Sequence, residues 1–415
     1  MMEPDSSSNP NQARDDFRRL AILIAVATLD LTGSAMIFPL MPLYAKALNI
    51  SPLSIGIIMA SFYVAQLISA PLWGRVSDRY GRRPALLVGL AALGSGYLIF
   101  GFAHSMWMLV VARVIQGAGG GTTGVTQAYV ADTVHPDSRT RSLGWLSAGT
   151  NIGTMMGPVL GSWAAAYGQL APGALAASLC VVNLVFAFMW LPESLKPGQA
   201  IRKRQPVWRN AWHVIRHPGG DAQRLTLIYA VGMFGQTCMS AVLALFLSAK
   251  FGITVLTIGS IFFYQNVFSV VMRSALLGPI VDRIKELWSM RIGALFLIVG
   301  LAAYPFARNL WALAVIIPLI PIGTALLFPA TTALLSKATD AADYGTALGT
   351  AQTFAGVSRL IAPLVSTALF GYLSPNLPFF VAAEIAALGC LLTFRIQSPR
   401  LKPAPVAVMV DFSSR

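Results

Sequence analysis

Charge is what this sequence has least of. Only 11% of its 415 residues are Asp, Glu, Lys or Arg, against roughly 25% in an average soluble domain. Hydrophobic residues make up 56%, and mean hydropathy is +0.66. A soluble body of this size has too few charges to cover its surface, which excludes a soluble enzyme, a nucleic-acid binder and a secreted scaffold. Cysteine is nearly absent: Cys180, Cys238 and Cys390 lie in apolar stretches, without metal-site spacing or a disulfide pattern. The histidines, His104, His135, His213 and His217, fall in or beside expected loops and form no metal site. No Ser/His/Asp set, Walker loop or GxGxxG stands in a workable context, so no cofactor and no enzymatic activity are expected. Residues 1–19 are polar and lack the apolar core of a signal peptide. They read as an unstructured tail.

Apolar length is what the sequence has in excess. Stretches of about 20 apolar residues, enough to cross a bilayer's hydrocarbon core, recur along the chain. Cutting at charges, prolines and polar runs gives twelve spans, near 20–45, 53–77, 84–103, 106–131, 142–168, 172–191, 224–249, 254–281, 288–306, 310–335, 345–372 and 377–394. The lysines and arginines settle the orientation. Twenty-four fall in the tails and the loops on the side of the termini, and three, Lys46, Lys250 and Arg308, on the other. By the positive-inside rule both termini are expected in the cytoplasm, and this asymmetry accounts for the net charge of +14 without nucleic acid. The organisation expected is a tail (1–19), a six-helix bundle (20–192), a central cytoplasmic loop (193–223), a second bundle (224–396) and a tail (397–415). Within the central loop, Val207, Trp208, Ala211, Trp212, Val214 and Ile215 alternate with Arg209, His213 and Arg216 at helical spacing. That pattern predicts a helix lying in the membrane interface.

The two halves repeat one another. Gly74-x-x-x-Asp78-Arg79 returns as Gly278-x-x-x-Asp282-Arg283, and Ala45-Lys46 as Ala249-Lys250, both 204 residues on. Leu143-Gly144 returns as Leu348-Gly349 and Pro158 as Pro363, 205 residues on. Two similar bundles with a cleft between them suit alternating access around a midplane site.

Between spans two and three the chain reads Gly74-Arg-Val-Ser-Asp78-Arg79-Tyr-Gly81-Arg82-Arg83-Pro84. Gly74 allows close helix contact, and Gly81 allows a reversal that other residues resist. The run resembles the signature of the major facilitator superfamily. Span five carries Gly149, Gly153, Gly157, Pro158 and Gly161, a smooth ridge for close helix approach with a kink-forming proline; it resembles the antiporter motif of that superfamily. With Asp30, Gly33, Pro39 and Pro42 in span one and Asp132-Thr133 closing span four, the chain resembles the drug:proton antiporter branch with twelve spans, tetracycline and multidrug efflux pumps among them. It differs from tetracycline pumps in having Gly96 in the stretch of span three where they carry an acid, and no acid in span nine. The resemblance implies an all-α membrane protein of twelve transmembrane helices, in two six-helix bundles related by pseudo-two-fold symmetry. It also implies export.

An ionisable group at bilayer depth is a functional candidate by default. Of sixteen acids only Asp30 and Glu384 lie deep within spans. Asp30 is eleven residues beyond Arg19, roughly 16 Å along a helix. Burial favours the neutral form of a carboxyl group, so Asp30 is the expected proton carrier, with Arg113 as the fixed charge that biases it. Glu384 ranks below it, in a last span that the resemblance makes peripheral. Arg113, Gln116, Gly120, Gly124 and Gln127 share one face of a continuous helix and are expected to line the substrate cleft with Gln66, Gln236 and Arg359. Arg273, five residues before Gly278, is expected to snorkel to the cytoplasmic surface. Gly74, Asp78, Arg79, Gly81, Arg82, Arg83 and Asp132 are expected to form a cytoplasmic gate, latched when the cleft faces outward.

The function expected is proton-coupled antiport of amphipathic, drug-like small molecules out of a bacterial cell, across the inner membrane, by a monomer. The alternative is a transporter of one endogenous metabolite, such as a sugar, organic anion or siderophore. Its partners are a small solute, protons and lipid, with no nucleic acid and no metal.

Overall fold

The computed structural model describes residues 10–133, 139–194, 219–340 and 343–396. The expected interfacial helix at 207–216 and the C-terminal tail lie outside the described residues. The first half runs α1 (Pro10–Ile37), α2 (Met41–Ala47), α3 (Pro52–Tyr80), α4 (Arg82–Gly101), α5 (Met106–Gly120), α6 (Thr123–Thr133), α7 (Arg139–Ala165) and α8 (Leu170–Trp190). The second runs α9 (Asp221–Phe251), α10 (Ile258–Val271), a π-helical turn (Met272–Leu276), α11 (Leu277–Ala303), α12 (Leu310–Ile316), α13 (Leu319–Ala338), α14 (Tyr344–Tyr372) and α15 (Leu377–Phe394). Among the described residues there is no strand.

The helix ends follow from local chemistry. Ser51 caps α3 by accepting a hydrogen bond from the Ser54 backbone N–H at 3.3 Å, and Pro52 takes the first turn, where no donor is needed. Asn309 caps α12 in the same way, from the Ala312 N–H at 2.8 Å. Gly81 ends α3 at φ 107°, a conformation open to glycine. Four features depart from the continuous spans expected. Helix α1 begins at Pro10, so the second half of the tail expected to be unstructured is helical. Span one then breaks at Phe38–Leu40, around Pro39, whose ring has no N–H to continue the ladder. Span four breaks at Gly121–Thr122, and span ten at Ile317–Pro318.

Nine stretches of the described residues are long and apolar enough to cross a membrane. The longest, Ile258–Phe306, is two helices, since Lys285 interrupts it with non-helical φ/ψ. Met106–Thr133, split at its glycine break, and the less apolar α7 fall outside the nine. Each of the twelve expected spans is therefore matched by helix.

Within the first half α1 packs on α7 and α8, α4 on α5 and α8, and α3 on α5; within the second, α9 packs on α13, α14 and α15, and α11 on α13 and α15. The halves meet chiefly through two pairs, α3 with α14 and α7 with α10, and α2 also touches α9. The sequence repeat interchanges these pairs, as a pseudo-two-fold axis requires.

The interface is shut at one end only. Away from the termini, Gly56 is pressed against Pro363 and Thr367, and Gly371 against Pro52. There the Gly259 N–H bonds Ser162 Oγ at 2.8 Å, Asn266 Nδ2 bonds the Thr154 carbonyl at 3.1 Å, and Lys46 Nζ bonds Ser248 Oγ at 3.2 Å. At the end that carries the termini, Gly124, Gly144, Gly278, Gly345 and Gly349 have none of the described residues within 4 Å of where a Cβ would stand. The cleft opens there.

Candidate functional site

A cavity of about 380 Å³ lies between the halves. Phe38, at the break after α1, and Tyr63 of α3 face it from the first half. The second half supplies the rest: Tyr229, Met233, Gln236, Thr237 and Ser240 from α9, Phe328 and Pro329 from α13, Arg359 from α14, and Arg273 from the π-helical turn. The volume fits a small-molecule site. Tyr229 and Phe328 form a tilted aromatic pair with centroids 5.0 Å apart, and the Gln352 amide holds the Tyr229 hydroxyl at 3.1 Å.

Two of the expected cleft residues, Gln236 and Arg359, line this cavity; Gln66, Gln116, Gly120 and Gln127 do not. Gln116 is 1% exposed and points into its own half, donating from Nε2 to the Gly96 carbonyl at 3.0 Å. Gly96 has no side chain, and Gln116 Cγ stands 2.7 Å from where its Cβ would be. The amide thus fills the space that the missing side chain of Gly96 leaves. Gln66 bonds the Gly120 carbonyl at 3.4 Å, tying α3 to α5 within the half. Gln127 lies beyond the break at Gly121–Thr122 and is out of phase with the stripe read from a continuous helix. Arg273 is a correction in the other direction: it lines the cavity instead of leaving for the surface. Its signal was an arginine inside an apolar span, and π-helical turns of this kind are frequent at functional sites.

Behind Tyr63 lies a second cluster, inside the first half. Arg113 is 5% exposed; its Nη1 bonds Gln116 Oε1 at 3.2 Å, its guanidinium sits 5.8 Å from the Phe62 ring centre, and Nε and Nη2 are buried without a partner. Asp30 is half-buried, with Oδ1 sealed and without a partner. Tyr97 lies close enough to both to feel their charges, and Cys180 is likewise near Asp30. Tyr63 is within the same reach of Arg113 and of Arg359 across the cavity. Glu384 is exposed on α15, away from both clusters.

The glycine ridge of α7 holds the helix that carries Asp30. Gly149 faces Ile24 and Thr28, Gly153 faces Thr28 and Thr32, Gly157 faces Thr32 and Ala35, and Gly161 faces Met36, all on α1. A side chain on the ridge would displace α1. Of the expected gate, Arg82 gathers most: it bonds Asp78, Ser77 Oγ at 2.7 Å and Asp132 at 3.0 Å. Glu193, just past α8, accepts the backbone N–H groups of Arg82 at 2.8 Å and Arg83 at 3.1 Å, a role the sequence did not reveal. Gly81 holds φ at 107°, which favours glycine, and a Cβ there would also press on the Glu193 carboxylate. Gly74 lies one turn before Asp78 on α3, and Arg79 is exposed beside Tyr80. These contacts all lie within the first half, as the open end requires.

The model of the Major Facilitator Superfamily matches residues 23–220 and 225–410. The chain belongs to that superfamily. Within it, the chain is 27% identical to the tetracycline resistance protein, class C, of Escherichia coli over 85% of this chain and 89% of that protein. It is 24% identical to multidrug resistance protein 1 of Bacillus subtilis over 92% of this chain and 96% of that one. Among solved structures, the superfamily fold is shared with the nucleoside transporter NupG at a TM-score of 0.75 and 13% identity, over 91% of this chain and 99% of that chain. The chain is thus a multi-pass membrane transporter whose relatives are transporters, not enzymes.

Proposed function

We propose that this protein exports amphipathic, drug-like small molecules from a bacterial cell in exchange for protons, as a monomer in the inner membrane with both termini cytoplasmic. Its relatives carry the names of tetracycline and multidrug resistance proteins. The excess of lysine and arginine beside the termini puts that end in the cytoplasm. The cavity opens towards it, which is where an exporter loads.

The observation that carries the coupling is Asp30, whose Oδ1 is buried without a partner. A sealed carboxylate without a donor is costly when charged and tolerable when protonated, so proton release needs a rearrangement around it. That rearrangement is the opening and closing of the halves, since Asp30 rides on the helix gripped by the glycine ridge. Asp30 has no counterpart in the second half, where Phe234 and Gly235 stand at the repeat shifts of 204 and 205. Arg113 stands in the same cluster, with Tyr97 in reach of both.

The test uses proteoliposomes with an imposed pH gradient and a fluorescent amphipathic dye. Asp30→Asn should bind dye but lose gradient-driven export, whereas Glu384→Gln should keep it. Wild-type export by Asp30→Asn would remove Asp30 from the coupling step.

A further inference from the structure

The cavity holds two guanidinium groups and, among the described residues, no carboxylate. Arg359 donates from Nε to the thioether of Met233 at 3.3 Å, a weak acceptor. Arg273 has no ion pair among the described residues and stands exposed to the cleft. Neither arginine has a counterpart in the first half, where Ser69 and Thr154 occupy the matching positions. The pair is therefore not inherited from the repeated frame; it belongs to this cavity. A cation at bilayer depth is costly without a partner, and a guanidinium matches the two oxygens of a carboxylate. Around the pair stand aromatic rings, among them Tyr63, Tyr229 and Phe328, which offer flat apolar faces to a planar body.

Building on the export reading above, we infer that the solute is an organic anion, an aromatic carboxylic acid bound in its ionised form. Its carboxylate is held by Arg273 and Arg359, and its ring packs among the aromatic side chains. Gln236 and Ser240 remain to bind further polar substituents. The two clusters then divide the work: the second half binds the anion and the first half carries the proton, with Tyr63 in reach of both.

Titration calorimetry of the full chain in detergent tests this directly, with injections into empty micelles subtracted. The probes are 2-naphthoate, its methyl ester and the cation tetraphenylphosphonium. The acid should bind at least about tenfold more tightly than the ester, the scale of one charge-assisted hydrogen-bonded pair. Arg273→Gln and Arg359→Gln should each remove that preference, and Arg359→Lys should keep part of it. Equal or tighter binding of the ester or the cation, or no binding of the acid, overturns the inference. So does an acid preference that both glutamine variants retain. If the variants fail to fold, the wild-type ratio of acid to ester decides alone. The export reading fails separately, if the acid binds but no pH gradient moves it in proteoliposomes. Gradient-driven export of the cation with no binding of the acid would sink the anion and leave export standing.

Discussion

At the scale of single residues, Lys285 shows what the repeat has kept and what it has lost. Its backbone, at φ 66° and ψ 164°, copies that of Gly81, 204 residues earlier, at φ 107° and ψ 156°. Gly81 has both a conformational and a steric reason to be glycine; Lys285 adopts a region that is essentially reserved for glycine. Its side chain recovers a little by donating to the Asp282 carbonyl at 3.3 Å. Lys285→Gly should therefore stabilise the protein by about 1 kcal/mol, read as a higher unfolding temperature in detergent. A lower one would mean that the lysine's contacts outweigh the strain. The reverse change, Gly81→Ala, places a Cβ against the Glu193 carboxylate and should destabilise by about 2 kcal/mol.

At the scale of helices, the repeat preserves a contact while reversing its charges. Arg82, opening α4, pairs with Asp132, closing α6. The matching positions in the second half are Glu286 and Lys337, and they pair at 2.5 Å. The joint between two neighbouring helices has been kept, and its polarity has not. The pairs differ in weight. Arg82 is buried and also holds Asp78, so Arg82→Glu should cost about 3 kcal/mol. The side chains of Lys337 and Glu286 are 42% and 26% exposed, so Glu286→Lys should cost about 0.5 kcal/mol. Adding Lys337→Glu to Glu286→Lys should restore wild-type stability. A double-mutant cycle measures both, and an equal cost for the two single reversals would remove the distinction.

The same scale shows how far the sequence could be read. The spans and the repeat were legible because apolar length and ordered dipeptide matches survive without coordinates. The place of Asp30 within span one was legible because a lone acid in an apolar run stands out; its role as proton carrier is the proposal above. The cleft was not. Gln116, Gly120 and Gln127 were placed on one face by assuming that span four is a continuous helix, because the glycine run Gly117–Gly121 was read as helix packing when it also marks a break. A glycine opposite a glutamine, as Gly96 stands to Gln116, is a tertiary fact with no trace in either helix alone. Arg273 was misplaced for a similar reason, because a single π-helical turn re-aims a side chain without changing the apolar pattern.

At the scale of the whole molecule, the halves share a frame and differ in chemistry: the buried acid is in one, the cavity cations in the other. Movement between them depends on the end that now stands open. Gly144 and Gly349 occupy matching positions there, with none of the described residues within 4 Å of a Cβ at either. Replacing both with leucine should leave the unfolding temperature of this state almost unchanged while abolishing transport, since the added side chains collide only when that end closes. Thermal unfolding and proteoliposome flux, measured on one preparation, check the two halves of that expectation, and normal flux would mean that these glycines never meet the opposite half. The closed end carries a quieter consequence. Beside its glycine contacts, Met41, Leu43 and Tyr44 of the first half and Phe246, Leu247 and Ile258 of the second are buried in one continuous hydrophobic core, and apolar area is what makes an interface hard to part. Parting that end would expose this area, so the composition of the interface favours the state in which it is shut. A ligand must favour one state by about 5.5 kcal/mol to move a population from 1:99 to 99:1, so the solute or proton that turns this carrier has to bind the other state more tightly than the one in which this end is shut.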